Sequence, residues 1–178
     1  PHCVDTEWFA SRATREAGAA LRARLGVLPE ARVVLFAGKL IPFKRPLDLV
    51  AALAIVREAV PDVTLIVAGD GELRQAMASA TPDASVRCHF LGFRNQTEMP
   101  AVYAASNLLV LPSDGRETWG LVANEALACG VPIVVSDAVG CAPDLAAGGG
   151  AGCTFPVSDI AALGNAIVAT LGAADRAS

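Results

Sequence analysis

The chain has 178 residues, which is enough for one sizeable domain and hardly for two. Charged residues make up 18% of it and its net charge at pH 7 is -4, so it lacks the basic surface that a nucleic-acid-binding protein needs. Hydrophobic residues make up 53%, but the longest apolar runs, such as Leu49 to Val56, are far too short to span a bilayer.

Six short apolar segments predict buried strands, because strands covered on both faces are continuous in valine, isoleucine and leucine. They are Val33–Ala37, Thr64–Ala68, Arg87–Leu91, Leu108–Leu111, Ile133–Ser136 and Cys153–Phe155. Helical patterns surround them at Ser11–Leu25, Pro46–Ala59, Leu73–Ser79, Met99–Ala105, Leu121–Cys129, Ala142–Ala147 and Ile160–Leu171, the last capped by Ser158 or Asp159. This alternation predicts an α/β fold, a doubly wound, six-stranded parallel Rossmann-like sheet with helices on both faces.

Residues 1–10 do not continue the alternation and are predicted to form a connecting segment. Residues 11–178 then make a single Rossmann-like domain. The glycine-rich stretch from Gly148 to Gly152 is a loop within that domain, because a strand pattern and a helix pattern follow it.

The candidate motifs all follow the predicted strand ends. Ligands of open α/β sheets bind outside the carboxyl ends of the strands, so these motifs are expected to meet at one edge of the sheet. The motifs are Gly38-Lys39, Gly69-Asp70-Gly71, Gly92-Phe93, Pro112 to Gly120 and Asp137 to Gly140. Their common position is stronger support for a site than any one of them.

Two glutamates eight positions apart, Glu117 and Glu125, flank a predicted helix start at Gly120. Helix starts present free backbone N–H groups and a positive dipole end, which suit a phosphate. One carboxylate lies before this anion site and the other about one turn into the helix, so together they could hold hydroxyl groups on both sides of a phosphate. That layout suits a sugar nucleotide. A glycosidase acid/base pair is disfavoured, because one residue lies in a loop and the other in a helix.

Lys39 and Lys44 follow the first strand and could grip a diphosphate as point charges, although ordinary lysines of a solvated loop are the alternative. The glycine fingerprint of dinucleotide-binding Rossmann domains is absent from this loop. For Gly69-Asp70-Gly71 a structural turn is favoured. For Trp119 and His89, packing in the interior is favoured over a stacking or catalytic role.

The five cysteines are scattered and show no Cys-x-x-Cys spacing, and only two histidines accompany them. A zinc site is therefore poorly supported, and reduced cysteines of a cytoplasmic protein are expected. Cys88 and Cys129 lie in apolar patterns and are predicted to be small core residues.

Taken in order, these motifs resemble the nucleotide-sugar-binding, carboxy-terminal half of a retaining GT-B glycosyltransferase of family 4, also called glycosyl transferases group 1. The resemblance covers nearly the whole chain and its ordered series is highly specific. It is carried by Val4-Asp5 to Phe9, Phe36-Ala-Gly-Lys-Leu with Lys44, Val67-Ala-Gly-Asp-Gly-Glu-Leu, Phe90-Leu-Gly-Phe, Tyr103 to Ser113, Glu117-Thr-Trp-Gly-Leu-Val-Ala-Asn-Glu-Ala and Gly130-Val-Pro-Ile-Val-Val-Ser-Asp.

The resemblance implies a role for each matching residue. The lysines would neutralise the donor diphosphate, Glu117 would bind the donor sugar and Glu125 would hold the ribose hydroxyls. The helix amides would meet the sugar and the distal phosphate, and the Gly92-Phe93-Arg94 loop would lie beside the base. The resulting assignments are catalytic for Glu117, Lys39 and Lys44, and donor-binding for Gly38, Gly92, Phe93, Trp119, Gly120, Leu121, Val122 and Glu125, with no metal ligand.

The resemblance also implies transfer of a sugar from a nucleotide diphosphate sugar to a glycan, lipid or small-molecule acceptor, with retained anomeric configuration and no cofactor or obligatory metal. GT-B enzymes have two Rossmann-like domains, so an amino-terminal domain of the same enzyme is the expected partner. The domain alone should bind donor weakly and not turn over. A cytoplasmic location is implied, with peripheral membrane attachment through the missing domain as a further expectation.

The sequence departs from the family pattern in five places, two of which are Ser106-Asn107, where Ala-Asp is common, and Asp144, where glutamate is frequent. Lys39 stands where arginine is usual, which removes a bidentate phosphate grip. Arg45 stands where relatives often have glycine, and Trp119 replaces a phenylalanine. Two other functions stay open, a non-catalytic nucleotide-binding module and a sugar-nucleotide epimerase of the same architecture. The glutamate pair together with the two lysines favours transfer over epimerisation.

Overall fold

The computed structural model describes residues 3–146 and 151–176, and within these it contains six strands and eight α-helices. The strands are β1 (Arg32–Ala37), β2 (Val63–Ala68), β3 (Arg87–Gly92), β4 (Leu108–Leu111), β5 (Ile133–Ser136) and β6 (Gly152–Phe155). The helices are α1 (Thr6–Arg12), α2 (Arg15–Leu25), α3 (Pro46–Ala59), α4 (Arg74–Ala80), α5 (Met99–Ala104), α6 (Leu121–Ala128), α7 (Ala142–Leu145) and α8 (Ile160–Arg176), with a short 3₁₀ turn at Pro42–Lys44.

The six strands form one parallel sheet in the order β3-β2-β1-β4-β5-β6. Strand β1 pairs with β2 on one side, where Arg32 faces Val63, and with β4 on the other, where Val34 faces Leu108. The chain therefore winds outward in both directions from β1, and the switch point lies between β1 and β4. This confirms the predicted doubly wound fold and places the expected ligand crevice after β1 and β4.

The sheet separates two hydrophobic cores. Val33 and Leu35 of β1 pack with α1, α2, α5, α6 and α7, whereas Val34 and Phe36 face α3, α4 and α8. All four side chains are fully buried. Burial on both faces explains why these strands are continuously apolar in sequence instead of alternating.

The prediction of one helix over Ser11–Leu25 is wrong at its start. Helix α1 ends at Arg12 and a second helix, α2, begins at Arg15. Asp5 caps the first by accepting a hydrogen bond from the Trp8 N–H (2.9 Å), and Thr14 caps the second. Most of α1 lies in the segment expected to be a connector, and its Phe9 is fully buried in the core. That segment is thus helical and packed on the domain from Thr6 onward, while residues 1–2 lie outside the described residues.

The other predicted elements are found at or near their expected positions. Each predicted strand is confirmed with at most one residue added at an end, but the predicted burial is wrong for β3 and β6, which are mostly half-buried because they lie at the edges of the sheet. Helix α8 continues five residues past Leu171, and Asp159 caps it through a 2.8 Å bond from the Ala162 N–H. The end of the helix predicted over Ala142–Ala147 and most of the glycine run fall in residues 147–150, outside the described residues.

Candidate functional site

Loops that follow the carboxyl ends of the strands are tied to one another by backbone hydrogen bonds. These bonds connect the loop after β1 with those after β2 and β4, and the loop after β4 with the one after β5. They run from Leu40 N to Asp70 O (2.9 Å), from Asp114 N to Phe43 O (2.9 Å) and from Gly140 N to Glu117 O (3.1 Å). The motifs predicted to share one edge of the sheet therefore lie in a connected frame.

Gly69 allows the loops after β1 and β2 to approach closely. A Cβ atom at this position would lie 1.8 Å from the carbonyl oxygen of Gly38, and the backbone φ is +154°. No side chain fits in that space, and L-residues avoid this conformation. The glycine is therefore required by the contact between the two loops, as the favoured structural-turn interpretation predicts.

A cavity of about 580 Å³, here called the larger cavity, opens beside the ends of β1 and β2. It contains five of the predicted site residues, Gly38, Lys39, Phe93, Val122 and Glu125. Phe93 is 80% exposed, so its ring is free to stack on a ligand. Four further residues of its wall, Ala37, Ala68, Gln96 and Met99, had no role predicted from the sequence, and the wall also includes the Gly69-Asp70-Gly71 motif.

A second cavity of about 300 Å³, here called the smaller cavity, adjoins the first. Gly38 and Val122 line both, so the two spaces meet at these residues. Five of the six remaining predicted residues line the smaller cavity, and they are Lys44, Glu117, Trp119, Gly120 and Leu121. The exception is Gly92, which ends β3 with φ +73° and lines neither cavity.

Helix α6 begins at the wall of the smaller cavity. Gly120 is its N-cap with φ +87°, and a Cβ there would lie 2.6 Å from a methyl carbon of Leu111. Among the described residues no side chain caps this helix, so the N–H groups of Leu121 and Val122 lack the usual side-chain acceptor, whereas the Ala123 N–H donates to the Gly120 carbonyl at 2.9 Å. The helix start predicted from sequence is confirmed, and it forms a suitable site for an anion.

Lys44 and Glu117 form an ion pair between the ammonium Nζ and the carboxylate Oε2. The hydroxyl of Ser113, itself fully buried, donates to the same oxygen at 3.2 Å. The two charged side chains are only 16% and 13% exposed. Burial, together with the neighbouring Lys39, lowers the pKa of Lys44. The sequence predicted that both residues lie at the site. It did not predict that they pair, or that Ser113 bonds to Glu117, because Lys44 and Glu117 are 73 residues apart.

Glu125 is held from behind by Tyr103, which sequence reasoning did not single out. The Tyr103 hydroxyl donates to Oε2 of Glu125 at 2.6 Å, and the tyrosine is fully buried. Burial raises the pKa of Glu125, and the tyrosine hydrogen bond partly opposes this shift. Burial and the adjacent carboxylate raise the pKa of Tyr103 well above its usual range, so it stays a donor. Glu125 is thus a half-buried, oriented carboxylate and not an exposed helix residue.

The Glu125→Gln variant should be more stable than the native chain at neutral pH. A carboxyl group whose pKa is raised by folding stabilises the fold when protonated, and this contribution is lost as pH rises through the raised value. Glutamine removes the buried charge but can still accept from Tyr103. Urea denaturation at pH 7 should show a higher free energy of unfolding for the variant, with a smaller gain at pH 5. Glu58→Gln, at an exposed position of α3, is the matched control; an equal gain in both variants would contradict the explanation.

Trp119 packs against the core as predicted, but the buried position predicted for His89 is wrong, because β3 is an edge strand and its residues are not fully covered. Trp119 is half-buried against the core, and its Nε1–H donates to Asn124 at 2.7 Å while its other side lines the smaller cavity. His89 is half-buried on β3 and lines neither cavity. Arg45, which stands where relatives often have glycine, adopts a left-handed conformation with φ +51°, the conformation that glycine favours.

The described part of the chain contains no group of three His, Cys, Asp or Glu side chains arranged to hold a metal ion. Among its helices, none is both long and apolar enough to cross a membrane. All five cysteines are free, and Cys88 and Cys129 pack against the two cores as predicted.

Comparison with known proteins gives a consistent result. The family model described as glycosyl transferases group 1 matches residues 31–173. The D-inositol 3-phosphate glycosyltransferase of Mycolicibacterium gilvum is 40% identical over 135 residues, which are 70% of this chain and 28% of that protein. A GDP-mannose-dependent alpha-(1-6)-phosphatidylinositol monomannoside mannosyltransferase of Mycolicibacterium smegmatis is 32% identical over 175 residues, 94% of this chain and 45% of that protein.

Among solved structures, Anabaena HepE in complex with UDP is similar with a TM-score of 0.80 and 28% identity, over 94% of this chain and 46% of that one. A glycosyltransferase from Rickettsia africae has the same fold, with a TM-score of 0.82 at 15% identity, over 95% of this chain and 45% of that one. The chain thus spans less than half the length of each of these four proteins.

Proposed function

Because this chain belongs to the glycosyl transferases group 1 family, we propose that it is the nucleotide-sugar-binding half of a retaining glycosyltransferase. The observation that carries the proposal is the junction of the two cavities at Gly38 and Val122. Lys39 lines the larger cavity and Lys44 the smaller one, and helix α6, which has no side-chain cap, begins at the smaller cavity and also reaches the larger one at Val122. A diphosphate bridging the junction would meet two cations and free amides.

The larger cavity is the proposed nucleoside site. Its volume of about 580 Å³ lies within the range of small-molecule sites. The exposed ring of Phe93 would stack on the base, and Glu125, which lines the same cavity, would accept hydrogen bonds from the ribose hydroxyls. In this proposal Gly92 does not contact the nucleotide, and its turn at the end of β3 presents Phe93 to the cavity.

The smaller cavity is the proposed site of the donor sugar. Glu117 and the first residues of α6 line it, so the carboxylate and the amides near Trp119, Leu121 and Val122 can hold sugar hydroxyls. Glu117 also pairs with Lys44. The arriving phosphate would therefore share or take over the ammonium group, and the Glu117 oxygens would turn to the sugar.

The proposed reaction transfers the sugar from the diphosphate to an acceptor hydroxyl on the same face of the anomeric carbon. The bond between that carbon and the phosphate oxygen breaks, and its electron pair leaves with the diphosphate. The acceptor oxygen forms the new bond to the same carbon, and its hydroxyl proton passes to an oxygen of the departing diphosphate. Lys39, Lys44 and the α6 amides would stabilise the charge that develops there, an electrostatic strategy that needs no reorganisation during the step. No obligatory metal is proposed.

The similar proteins support a nucleotide diphosphate sugar as the donor, but they do not indicate which base this donor carries. HepE is described in complex with UDP and the mannosyltransferase as GDP-mannose-dependent, so a nucleotide diphosphate sugar is proposed as donor. The acceptor, a glycan, lipid or small molecule, would bind between this chain and an amino-terminal domain of the same enzyme. We place the enzyme in the cytoplasm, with any membrane attachment made through that other domain.

The proposal predicts that UDP-, GDP- or ADP-sugars bind this chain and that Lys44→Ala and Glu125→Ala each weaken binding at least about tenfold, since each removes one charged contact. Calorimetric or NMR titration measures both effects. Arg57→Ala and Glu58→Ala remove exposed charges from α3, outside both cavities, and should leave affinity unchanged. If none of the three nucleotide sugars binds, or if the two site variants bind as the native chain does, the proposal fails.

A further inference from the structure

Tyr103 is rigidly placed behind the larger cavity. The residue lies on α5, is fully buried and does not line the cavity itself. Its ring packs edge-on against Phe9 of α1, with the ring centroids 6.1 Å apart and the planes at 66°. Since Phe9 is also fully buried, the phenol ring has little freedom to move. The position of its hydroxyl is therefore set by the core.

The hydroxyl uses only part of the Glu125 carboxylate. It donates to Oε2 at 2.6 Å, whereas Oε1 has no hydrogen-bond partner within residues 3–146 and 151–176. A carboxylate offers about four lone-pair sites on its two oxygens. One is taken by Tyr103, and the rest remain available on a side chain that lines the larger cavity.

We propose that Tyr103 is a positioning residue that fixes Glu125 for recognition of the vicinal ribose hydroxyls. This inference rests on the proposed function, because it requires a nucleotide in the larger cavity. A glutamate on a helix has several rotamers, and ordering it on binding costs free energy. The tyrosine hydrogen bond selects one rotamer before the ligand arrives. It also favours the charged carboxylate, which accepts hydroxyl hydrogen bonds more strongly than the neutral acid.

The test compares nucleotides with and without ribose hydroxyls in the 178-residue chain. UDP, GDP and ADP are titrated beside their 2′,3′-dideoxy counterparts, and the ratio of the two Kd values measures how much the hydroxyls contribute. Tyr103→Phe removes one oxygen atom and should lower this ratio about tenfold, while the Kd of the dideoxy nucleotide changes less than about twofold. Ser106→Ala is the control, because it deletes another half-buried hydroxyl close in sequence, one that bonds the Val102 carbonyl instead.

The outcomes separate the two proposals. If none of the three nucleotides binds the native chain, or if the native ratio is near one, the proposed nucleoside site fails and this inference with it. If the native chain discriminates and Tyr103→Phe keeps the same ratio, only the positioning role is overturned. If the variant weakens both kinds of nucleotide equally, Tyr103 acts merely through the fold, which also overturns the positioning role.

A second measurement needs no variant. Tyr103 is the only tyrosine of the chain, so ¹³C labelling at the phenol Cζ gives a single tyrosine signal. That signal should shift when UDP, GDP or ADP binds and shift much less with the dideoxy nucleotides. A signal that responds equally to both kinds of nucleotide would overturn the inference.

Discussion

Replacing Lys44 with methionine should lower the free energy of unfolding by about 2 kcal/mol, because it leaves a mostly buried carboxylate without its cation. Glu117 is only 13% exposed and would retain a single hydrogen bond, from Ser113. Methionine keeps the aliphatic stem, so lost packing does not explain the effect. Breaking a fully buried ion pair costs about 3–5 kcal/mol, and the partial exposure of this pair reduces that figure.

Adding Glu117→Gln to the Lys44→Met variant should restore most of the lost stability, since neither side chain then carries a charge. Urea denaturation of the native chain, both single variants and the double variant gives the coupling free energy between the two residues. Arg74→Met is the control, because its pair with Asp70 is exposed and should contribute less than about 1 kcal/mol. A Lys44→Met loss no larger than that of Arg74→Met would show that the pair adds nothing to stability. The pair would then matter only for binding.

Gly69→Ala should lower the free energy of unfolding by at least about 3 kcal/mol, because it combines an unfavourable backbone conformation with a backbone collision. The new methyl carbon would lie 1.8 Å from the Gly38 carbonyl oxygen, and neither loop can move away while Gly38 N and Leu40 N remain bonded to Ala68 and Asp70. Because Gly38 lines both cavities, the displaced loop should also reduce nucleotide-sugar binding.

Gly26→Ala is the matched control for this effect. Gly26 caps α2 with φ +67°, and an added Cβ there would meet no atom within 4 Å. It should therefore cost about 1 kcal/mol from the backbone conformation alone. Thermal or urea unfolding of both variants separates the two contributions. Similar losses in Gly69→Ala and Gly26→Ala would mean that the close approach of the loops is unimportant.

The parts of the fold that the sequence predicts are those that depend on local pattern. Leu108–Leu111 and Pro46–Ala59 are found with the predicted bounds, because a doubly covered strand and an amphipathic helix between Pro46 and Pro61 have recognisable periodicity. The start of α1 was missed, since it depends on a cap at Asp5 and on the burial of Phe9 against a distant part of the chain.

The sequence by itself determined the doubly wound sheet, the helix start at Gly120 and the gathering of the lysines and glutamates at one edge. Chain order, glycine positions and strand-end placement are properties of a linear pattern. Only the tertiary structure decided which side chains meet: Lys44 with Glu117 across 73 residues, and Tyr103 with Glu125 across 22. These contacts depend on the packing of separate loops and helices, which no local spacing records. Tertiary structure also divided the site into two cavities that join at Gly38 and Val122, because the loop after β1 and helix α6 come together only when the sheet has formed.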